Sequence, residues 1–197
     1  MHEFDSTELD GDENGRLVKC AVTPRPIAWI STTSEDGVDN LAPFSSYNYV
    51  SSNHPVVLFN TPNEAHGGLK DTARNVLDTG EFAVNVVTEP LLERMDHTSA
   101  PVSSDESEFE LAGVDRAACR RISPPRVADA VVTMECTYYD SMEIHDRLLI
   151  LGEVQYFHVA DDVLTDGRID MQKIDTVGRL GGPYYTVSDP VEFERRY

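Results

Sequence analysis

Residues 130–159 read AVVTMECTYYDSMEI, HDR and LLILGEVQYFHV, two long runs rich in Val, Ile, Tyr and Phe with three polar residues between them. β-branched and aromatic side chains suit a pleated strand, and a short polar break suits a turn. The stretch therefore predicts two long strands joined by a tight connection.

Shorter runs of the same kind precede this pair. They are LVKCAV (17–22), IAWISTT (27–33), VDNLAPF (38–44), PVVLFNT (55–61) and FAVNVVT (82–88). Between them, Asp36-Gly37 readily supplies the positive φ angles of a hairpin turn, and residues 45–55, SSYNYVSSNHP, predict a polar loop. Strands spaced in this way are typical of a small barrel, not of the β-α-β alternation of a doubly wound sheet.

One segment has helical periodicity, LKDTARNVLDTG at residues 69–80. Gly80 lies just past its end, where a glycine commonly terminates a helix. The apolar face of this helix is expected to carry Leu69, Ala73, Val76 and Leu77.

The chain has 197 residues, enough for one domain with a sizeable core. Residues 1–15 are acidic and lack an apolar stretch, so we expect a flexible leader and not a signal peptide, followed by one domain over residues 16–197. No apolar run approaches the roughly 20 residues that span a bilayer. These features predict a soluble, cytoplasmic protein.

The charge is strongly unbalanced, with 35 Asp and Glu against 16 Lys and Arg and a formal net charge of −19. Such a surface repels nucleic acid and anionic membranes, so neither is expected as a partner. A surplus of acid with scarce lysine indicates a halophilic protein from a high-salt cytoplasm. The alternative is a merely acidic mesophilic protein.

Three cysteines, Cys20, Cys119 and Cys136, show no CxxC or Cys/His ligand spacing, so neither a metal site nor a disulfide framework is expected. The six histidines are scattered. No GxSxG, HExxH or Ser-His-Asp arrangement supports hydrolysis, and the sequence assigns no catalytic residue.

A phosphate site is the first candidate for function. Lys70, Asp71 and Thr72 open the predicted helix, with Arg74 and Asn75 one turn on. Free N–H groups and the dipole at a helix start favour an anion, and the Lys, Thr and Arg side chains add donors. The alternative is that Asp71 caps the helix while Lys70 and Arg74 are solvated.

Two further segments could contact a ligand. The loop containing Ser45, Ser46, Ser51 and Ser52 offers hydroxyl and amide groups, although such residues are also common in plain turns. The second segment, GRLGGPYY (178–185), lacks the GxGxxG spacing of a dinucleotide fingerprint. It could approach a ligand closely or simply pack its tyrosines on the barrel.

Five segments resemble, in order, the flavin reductase-like, FMN-binding split-barrel family. They are TPRPIAWIST (23–32), NLAPFSSYNYVSSNHPVVLF (40–59), KDTARNVLDTGEFAVNVVT (70–88), EFELAGV (108–114) and GRLGGPYY (178–185). The resemblance implies a mainly β fold, a six-stranded split β-barrel with peripheral helices. It also implies a homodimer with FMN sites at or near the subunit interface.

The resemblance also implies which residues bind the cofactor. Those facing the isoalloxazine edge and ribityl chain are Ala42, Pro43, Ser45 and Ser46. Those near the phosphate are Ser51, Ser52, Lys70, Asp71, Thr72 and Asn75. Those bordering the flavin or closing over it are Arg25, Trp29, Arg179 and Tyr184. Relatives often read NPP where this chain has Asn53-His54-Pro55, so His54 has no assigned role.

Three functions follow from these observations. The first is an NAD(P)H-dependent flavin reductase or related flavoprotein oxidoreductase, in which the flavin performs the chemistry, with NADH or NADPH as electron donor. The second is a non-catalytic flavin carrier or sensor. The third is a hydrolase or structural barrel without a cofactor.

Overall fold

The computed structural model describes residues 1–194, and most of its regular structure is β. The strands are β1 (Arg25–Pro26), β2 (Ala28–Thr33), β3 (Asp39–Phe44), β4 (Tyr47–Ser51), β5 (Val56–Pro62), β6 (Glu81–Val86), β7 (Arg116–Ala117), β8 (Arg126–Val127), β9 (Val132–Ile144), β10 (Arg147–Val159), β11 (Leu164–Thr165), β12 (Arg168–Ile169), β13 (Val177–Arg179) and β14 (Tyr185–Val187). The α-helices are α1 (Gly11–Ala21), α2 (Asp71–Thr79), α3 (Leu92–His97) and α4 (Glu108–Leu111).

The main sheet is antiparallel and contains seven strands in the order β3-β2-β6-β9-β10-β5-β4. Its centre is the β9–β10 hairpin, which confirms the two long strands predicted from residues 130–159. The Asp36-Gly37 turn between β2 and β3 is also confirmed, with Gly37 at a φ of 84°. A smaller sheet, β1-β13-β14, joins the C-terminal segment to the chain just before β2.

Two apolar cores lie on opposite sides of β2, because successive strand residues face opposite ways. Ala28 and Ile30 belong to the first core, together with Phe59, Phe82 and other residues of the barrel strands. The second core includes Trp29, Leu41, Met95, Phe109 and Val177, and it packs helices α3 and α4 and the β13 segment onto the sheet. This second core brings three distant parts of the chain together.

The prediction for the N-terminal region was wrong. Residues 17–22 were expected to form a strand and residues 1–15 a flexible leader, but Gly11–Ala21 form α1, which crosses the expected boundary. Asp10 and Glu13 form a reciprocal capping box that satisfies free N–H groups at the helix start. A cap of this kind favours a helix where alternation alone suggested a strand.

Residues 45–55 do not form the expected continuous loop, because Tyr47–Ser51 pair with β5 as strand β4. This strand brings the main sheet to seven strands, where six were predicted. Helix α2 and its Gly80 terminator are as predicted, but Leu77 is exposed. No helix in residues 1–194 is long and apolar enough to cross a membrane.

Candidate functional site

A cleft of about 260 Å³ lies where three segments meet. Pro43 and Ser45 come from the end of β3, while Met95, Asp96 and Ser99 come from α3 and the turn after it. The remaining lining residues, from the β1–β2 connection and the C-terminal sheet, are Ile27, Arg179 and Tyr185. Three of the predicted cofactor residues, Pro43, Ser45 and Arg179, therefore face one space.

Arg179 is held over the cleft by its neighbours. Its guanidinium carbon lies 4.3 Å from the centre of the Tyr185 ring, and its Nη2 donates to the Gly182 carbonyl at 2.7 Å. The Tyr185 hydroxyl in turn donates to Asp96 Oδ1 at 2.8 Å, which links the tail to α3. Burial, with the bond to Asp96, raises the pKa of the Tyr185 hydroxyl, so it remains a donor at neutral pH.

An apolar pocket of about 600 Å³ adjoins this cleft and shares Ile27 with it. Its lining includes Tyr47, Val87, Met171 and Val187. Burial raises the pKa of Tyr47 to about 12, so its hydroxyl stays protonated in this pocket. The two spaces together form an extended groove with one polar and one apolar part.

Arg25 lies on the rim of the apolar pocket, but its guanidinium is engaged with the backbone. It donates to the carbonyl oxygens of Lys19 and Val22 at the end of α1, and to that of Leu180 at 3.0 Å. This side chain therefore fixes α1 to the C-terminal segment. The structure thus gives Arg25 a positioning role, and its predicted place beside the flavin stays a prediction.

Trp29 was expected to border the flavin, and the structure contradicts this expectation. The residue has no exposed surface, and its indole N–H donates to the Thr98 hydroxyl at 2.9 Å. Trp29 belongs to the second core, behind the wall of the cleft. It supports α3 and the following turn, which carry Asp96 and Ser99.

Two residues next to the cleft mainly serve the barrel. Ala42 pairs with Ile30 and packs against the first core. The Ser46 hydroxyl donates to the Asn60 carbonyl at 3.0 Å, tying the end of β3 to β5. Both residues are half-buried, so their backbone groups and the exposed part of each side chain are what could contact the ring edge as predicted.

The residues predicted to bind phosphate separate into two groups. Lys70 is exposed at the start of α2, where no side chain caps the helix, and among residues 1–194 its ammonium group forms no ion pair or side-chain hydrogen bond. Asp71 and Arg74 instead pair with each other at 3.1 Å, so Arg74 is not the free cation that was expected. Lys70 and the first N–H groups of α2 remain available for an anion.

Thr72 and Asn75 are buried and already satisfied. The Thr72 hydroxyl donates to Asn40 Oδ1 at 2.6 Å, and Asn75 Nδ2 donates to the Thr32 hydroxyl at 3.0 Å. Asn40 Nδ2 then donates to the Glu108 carboxylate at 2.8 Å. These side chains join α2, β2, β3 and α4, and they do not reach a ligand as predicted.

Glu108 completes this buried network by also accepting the Leu41 N–H at 2.9 Å. Burial raises the pKa of its carboxyl, although the bonds from Leu41 and Asn40 oppose that shift. On the adjacent outer face, a cavity of about 190 Å³ is lined by Asp36, Asp71, Asp78 and Glu106, among others. These carboxylates repel an anion at this face of α2.

Within residues 1–194, no hydrogen bond joins Ser51 or Ser52 to Lys70. Ser51 pairs with Val56 at the first residue of β5, whereas Lys70 follows the last residue of that strand, Pro62. Ser52 is exposed in the turn after β4, as is His54. Tyr184 is 69% exposed, and its backbone carbonyl accepts from Leu180 N–H.

Comparison with known proteins identifies the family. The model of the flavin reductase-like domain matches residues 20–174, most of the chain. The chain belongs to the flavin reductase-like domain family. An uncharacterised protein of Aquifex aeolicus is 40% identical to it over 184 residues, covering 93% of this chain and 94% of the relative.

Solved structures of similar proteins extend over nearly the whole of this flavin reductase-like chain. Component B of nitrilotriacetate monooxygenase from Bacillus cereus has a TM-score of 0.92 and 31% identity, covering 99% of this chain and 98% of that one. The 2-nitrobenzoate 2-nitroreductase of Pseudomonas fluorescens has a TM-score of 0.89 and 27% identity, covering 98% and 96%.

A third structure, a protein with a split-barrel domain from Shewanella frigidimarina, is 24% identical with a TM-score of 0.86 and covers 100% of both chains. At this identity the likeness shows the fold alone. It confirms the predicted class, a mainly β split barrel with peripheral helices, and only the strand number differs.

Membership in the flavin reductase-like family points to a flavin cofactor, and the cleft suits part of one. Pro43 offers apolar surface for a flat ring, while Ser45 and Arg179 offer donors for its polar edge. Ile27 and Met95 also line the cleft, but they are only 7% and 1% exposed. The volume of about 260 Å³ is below the roughly 300–1,000 Å³ of a typical ligand site. A second pocket of about 600 Å³, also lined by Ile27, lies beside it and is formed by the same chain.

Sequence reasoning missed Asp96, Ser99 and Tyr185. Asp96 and Ser99 belong to no sequence motif that indicates ligand binding. They line the cleft because Met95 packs helix α3 onto the second core. The sequence did contain a signal for Tyr185, because it is the residue next to Tyr184 in the GRLGGPYY segment that was singled out. Its pairing with Arg179 across β13 and β14 decides which tyrosine faces the cleft.

Proposed function

We propose that this chain is an FMN-binding flavoprotein oxidoreductase of the NAD(P)H-dependent flavin reductase type. One observation carries the proposal: residues 43–45, 95–99 and 179–185 meet around one cleft whose lining is mostly polar and includes Ser45, Arg179 and Tyr185. Membership in the flavin reductase-like family and the similarity to the Bacillus cereus and Pseudomonas fluorescens proteins support it.

In this proposal the chain binds and orients the flavin. Pro43 contacts the face of the ring, and the hydroxyl of Ser45 donates to its polar edge. Arg179, fixed by Tyr185, places positive charge beside the ring, where it favours an anionic form over a neutral one. When bound, the flavin supplies hydride and electron transfer, so the protein needs no acid–base or nucleophile motif.

The phosphate end of FMN is assigned to Lys70 and the first backbone N–H groups of α2. An exposed ammonium beside an uncapped helix start is a suitable anion site. Thr72 contacts Asn40 near the beginning of β3, whereas Ser45 follows the end of that strand. An FMN molecule that reaches both subsites therefore runs along β3.

A second copy of the chain is proposed to complete the site. Membership in the flavin reductase-like family supports this, because the resemblance to that family implies flavin sites at or near a subunit interface. Sedimentation in molar salt is expected to show a homodimer. A species of only 21.9 kDa at micromolar concentration would contradict the dimer without affecting the cleft assignment.

The enzymatic part is tested by the visible absorbance of the protein loaded with FMN, recorded without oxygen before and after NADH or NADPH. Bleaching by either nucleotide is expected. Reoxidation with free FMN and with 2-nitrobenzoate then compares two classes of acceptor. FMN binding without bleaching would contradict the reductase and favour a carrier or sensor, while absence of binding would contradict both.

A further inference from the structure

Three potential metal ligands from separate segments meet outside the proposed flavin site. The Sγ atom of Cys119, a carboxylate oxygen of Glu135 and a ring nitrogen of His158 all lie within 4.8 Å of one another. Cys119 belongs to the connection between β7 and β8, while Glu135 and His158 lie on β9 and β10. On β9, Cys136 faces the first core, so Glu135 faces the other side of the sheet.

The Glu135 carboxylate is held in place by three donors. It accepts the backbone N–H groups of Arg120 at 2.7 Å and of Arg121 at 2.6 Å, and His158 Nε2 lies 2.5 Å from its Oε1. Although burial alone would raise it, these bonds hold the pKa of Glu135 below its ordinary value. A fully buried carboxylate held by hydrogen bonds therefore lies at the centre of the cluster.

The three ligand types match those that zinc prefers. Zn²⁺ binds thiolate sulfur at about 2.3 Å and imidazole nitrogen or carboxylate oxygen at about 2.0–2.2 Å, so ligand atoms around it lie about 3.3–3.7 Å apart. Cys119 would move slightly inward and the His158 ring slightly outward from Glu135 to reach such spacing. Beside His158 lies a cavity of about 360 Å³ whose lining also includes Arg120 and Arg126.

We propose that Cys119, Glu135 and His158 form a binding site for a divalent transition-metal ion of the zinc type. Binding replaces the thiol proton of Cys119, which is released to solvent, and the neutral imidazole and the carboxylate donate their lone pairs. The ion thereby links the connection between β7 and β8 to the β9–β10 hairpin.

Several groups around the thiol set the conditions for binding. Burial raises the pKa of Cys119 to about 12, with further upward contributions from Glu135 and Glu81 and a downward one from Arg126. The metal competes with this proton, so binding strengthens as the pH rises. We therefore place the titration at about pH 8.

The test uses Co²⁺ as a spectroscopic substitute for Zn²⁺, added to chelator-treated full-length protein in 1 M KCl. The many surface carboxylates also attract cations, but only the proposed site gives a thiolate-to-cobalt charge-transfer band. Wild type is expected to show this band, saturating at one Co²⁺ per chain and removed by one equivalent of Zn²⁺. Absence of a saturable band in wild type would overturn the proposal.

Matched variants locate the site. Cys119→Ser is expected to abolish the band, and His158→Gln to weaken Co²⁺ binding at least tenfold, whereas Cys20→Ser and His54→Gln should leave both unchanged because these residues are exposed elsewhere. A band that persists in Cys119→Ser would contradict the assignment. If Cys119→Ser does not fold, unchanged Co²⁺ affinity in His158→Gln would contradict it instead.

Discussion

At the scale of single residues, Lys70 and Thr72 lie two positions apart and have different roles. Both belong to a sequence pattern that predicts phosphate binding at a helix start. Lys70 extends into solvent, whereas Thr72 is 1% exposed and donates its hydroxyl proton to Asn40. Helix geometry explains the division, because Thr72 lies on the face that packs against β2 and β3.

The role of Lys70 is tested by comparing FMN with riboflavin, which lacks the phosphate. Lys70→Ala removes a charge-assisted hydrogen bond worth about 1.5–3 kcal/mol, so FMN affinity should fall roughly ten- to a hundredfold. Riboflavin affinity should change little. Fluorescence titration of apo-protein at fixed high salt measures both.

The control for Lys70→Ala is Lys19→Ala, because Lys173, the third lysine, donates from Nζ to the Leu164 carbonyl and so also supports the fold. Equal FMN affinity in wild type and Lys70→Ala would show that Lys70 does not bind the phosphate and is simply a solvated residue at the start of α2. An equal loss for both flavins would indicate general damage to the protein.

Thr72→Val is expected to act on stability instead. Valine has nearly the same shape as threonine, but it cannot make the 2.6 Å hydrogen bond to Asn40 Oδ1. We expect the free energy of unfolding to fall by about 1–3 kcal/mol. The ratio of FMN to riboflavin affinity should remain that of wild type. Denaturant unfolding and the same titration check this, and a selective loss of FMN affinity would show that the hydroxyl does reach the phosphate.

At the scale of elements, the local sequence pattern predicted a helix or strand correctly wherever tertiary packing favoured the same structure. The β9–β10 hairpin and α2 could be predicted because their apolar periodicity and turn residues are strong and local. Residues 17–22 were mistaken for a strand because a short apolar run fits a strand or a helix equally well, and the Asp10 capping box that marks the helix start lies seven residues upstream. Strand β4 was missed because its polar residues pair at the edge of the sheet, where little apolar surface is needed.

For the site, too, local sequence patterns predicted some residues correctly and missed others. Pro43, Ser45 and Arg179 were predicted from segments that resemble the family, and they do face one cleft. Trp29 and Thr72 belong to similar segments, but their side chains point into the protein. Which side a residue faces depends on pairing and packing between distant segments, and no local pattern specifies that.

The close packing of the hairpin on β6 gives a prediction for Gly152. A Cβ atom at this position would lie 2.2 Å from the Phe82 ring, so Gly152→Ala overpacks the first core. We expect a loss of about 1–3 kcal/mol in the free energy of unfolding. Phe82→Leu in the same chain should recover part of it.

The matched control for Gly152→Ala is Gly11→Ala, since an added Cβ at Gly11 meets no atom within 4 Å. It should leave stability within about 0.5 kcal/mol of wild type. Denaturant unfolding compares the variants. Equal stability of Gly152→Ala and Gly11→Ala would mean that Phe82 moves aside without cost.

At the scale of the whole molecule, the charge of −19 dominates. Several arginines are committed to surface pairs, such as Arg94 with Asp129 and Arg116 with Asp39, which contribute little each. The remaining carboxylates repel one another over about 30 Å at 0.01 M salt and only about 3 Å at 1 M.

We therefore expect the melting temperature to rise by at least about 4 °C from 0.01 to 1 M KCl, equivalent to roughly 1–2 kcal/mol at this chain length. Differential scanning calorimetry in KCl and in potassium sulfate at matched ionic strength separates screening from salting-out. A flat profile in KCl would show that the acidic surface does not limit stability and would favour an ordinary acidic protein.

The most direct measurement is the FMN affinity of Ser45→Trp, determined by fluorescence titration in high salt. The indole would fill the 260 Å³ cleft, whereas Ser52→Trp places the same side chain at an exposed turn away from it. With both variants as stable as wild type, Ser45→Trp should bind FMN at least about a hundredfold more weakly, and Ser52→Trp should bind it normally. Normal FMN binding by Ser45→Trp would contradict the assignment of the flavin to this cleft.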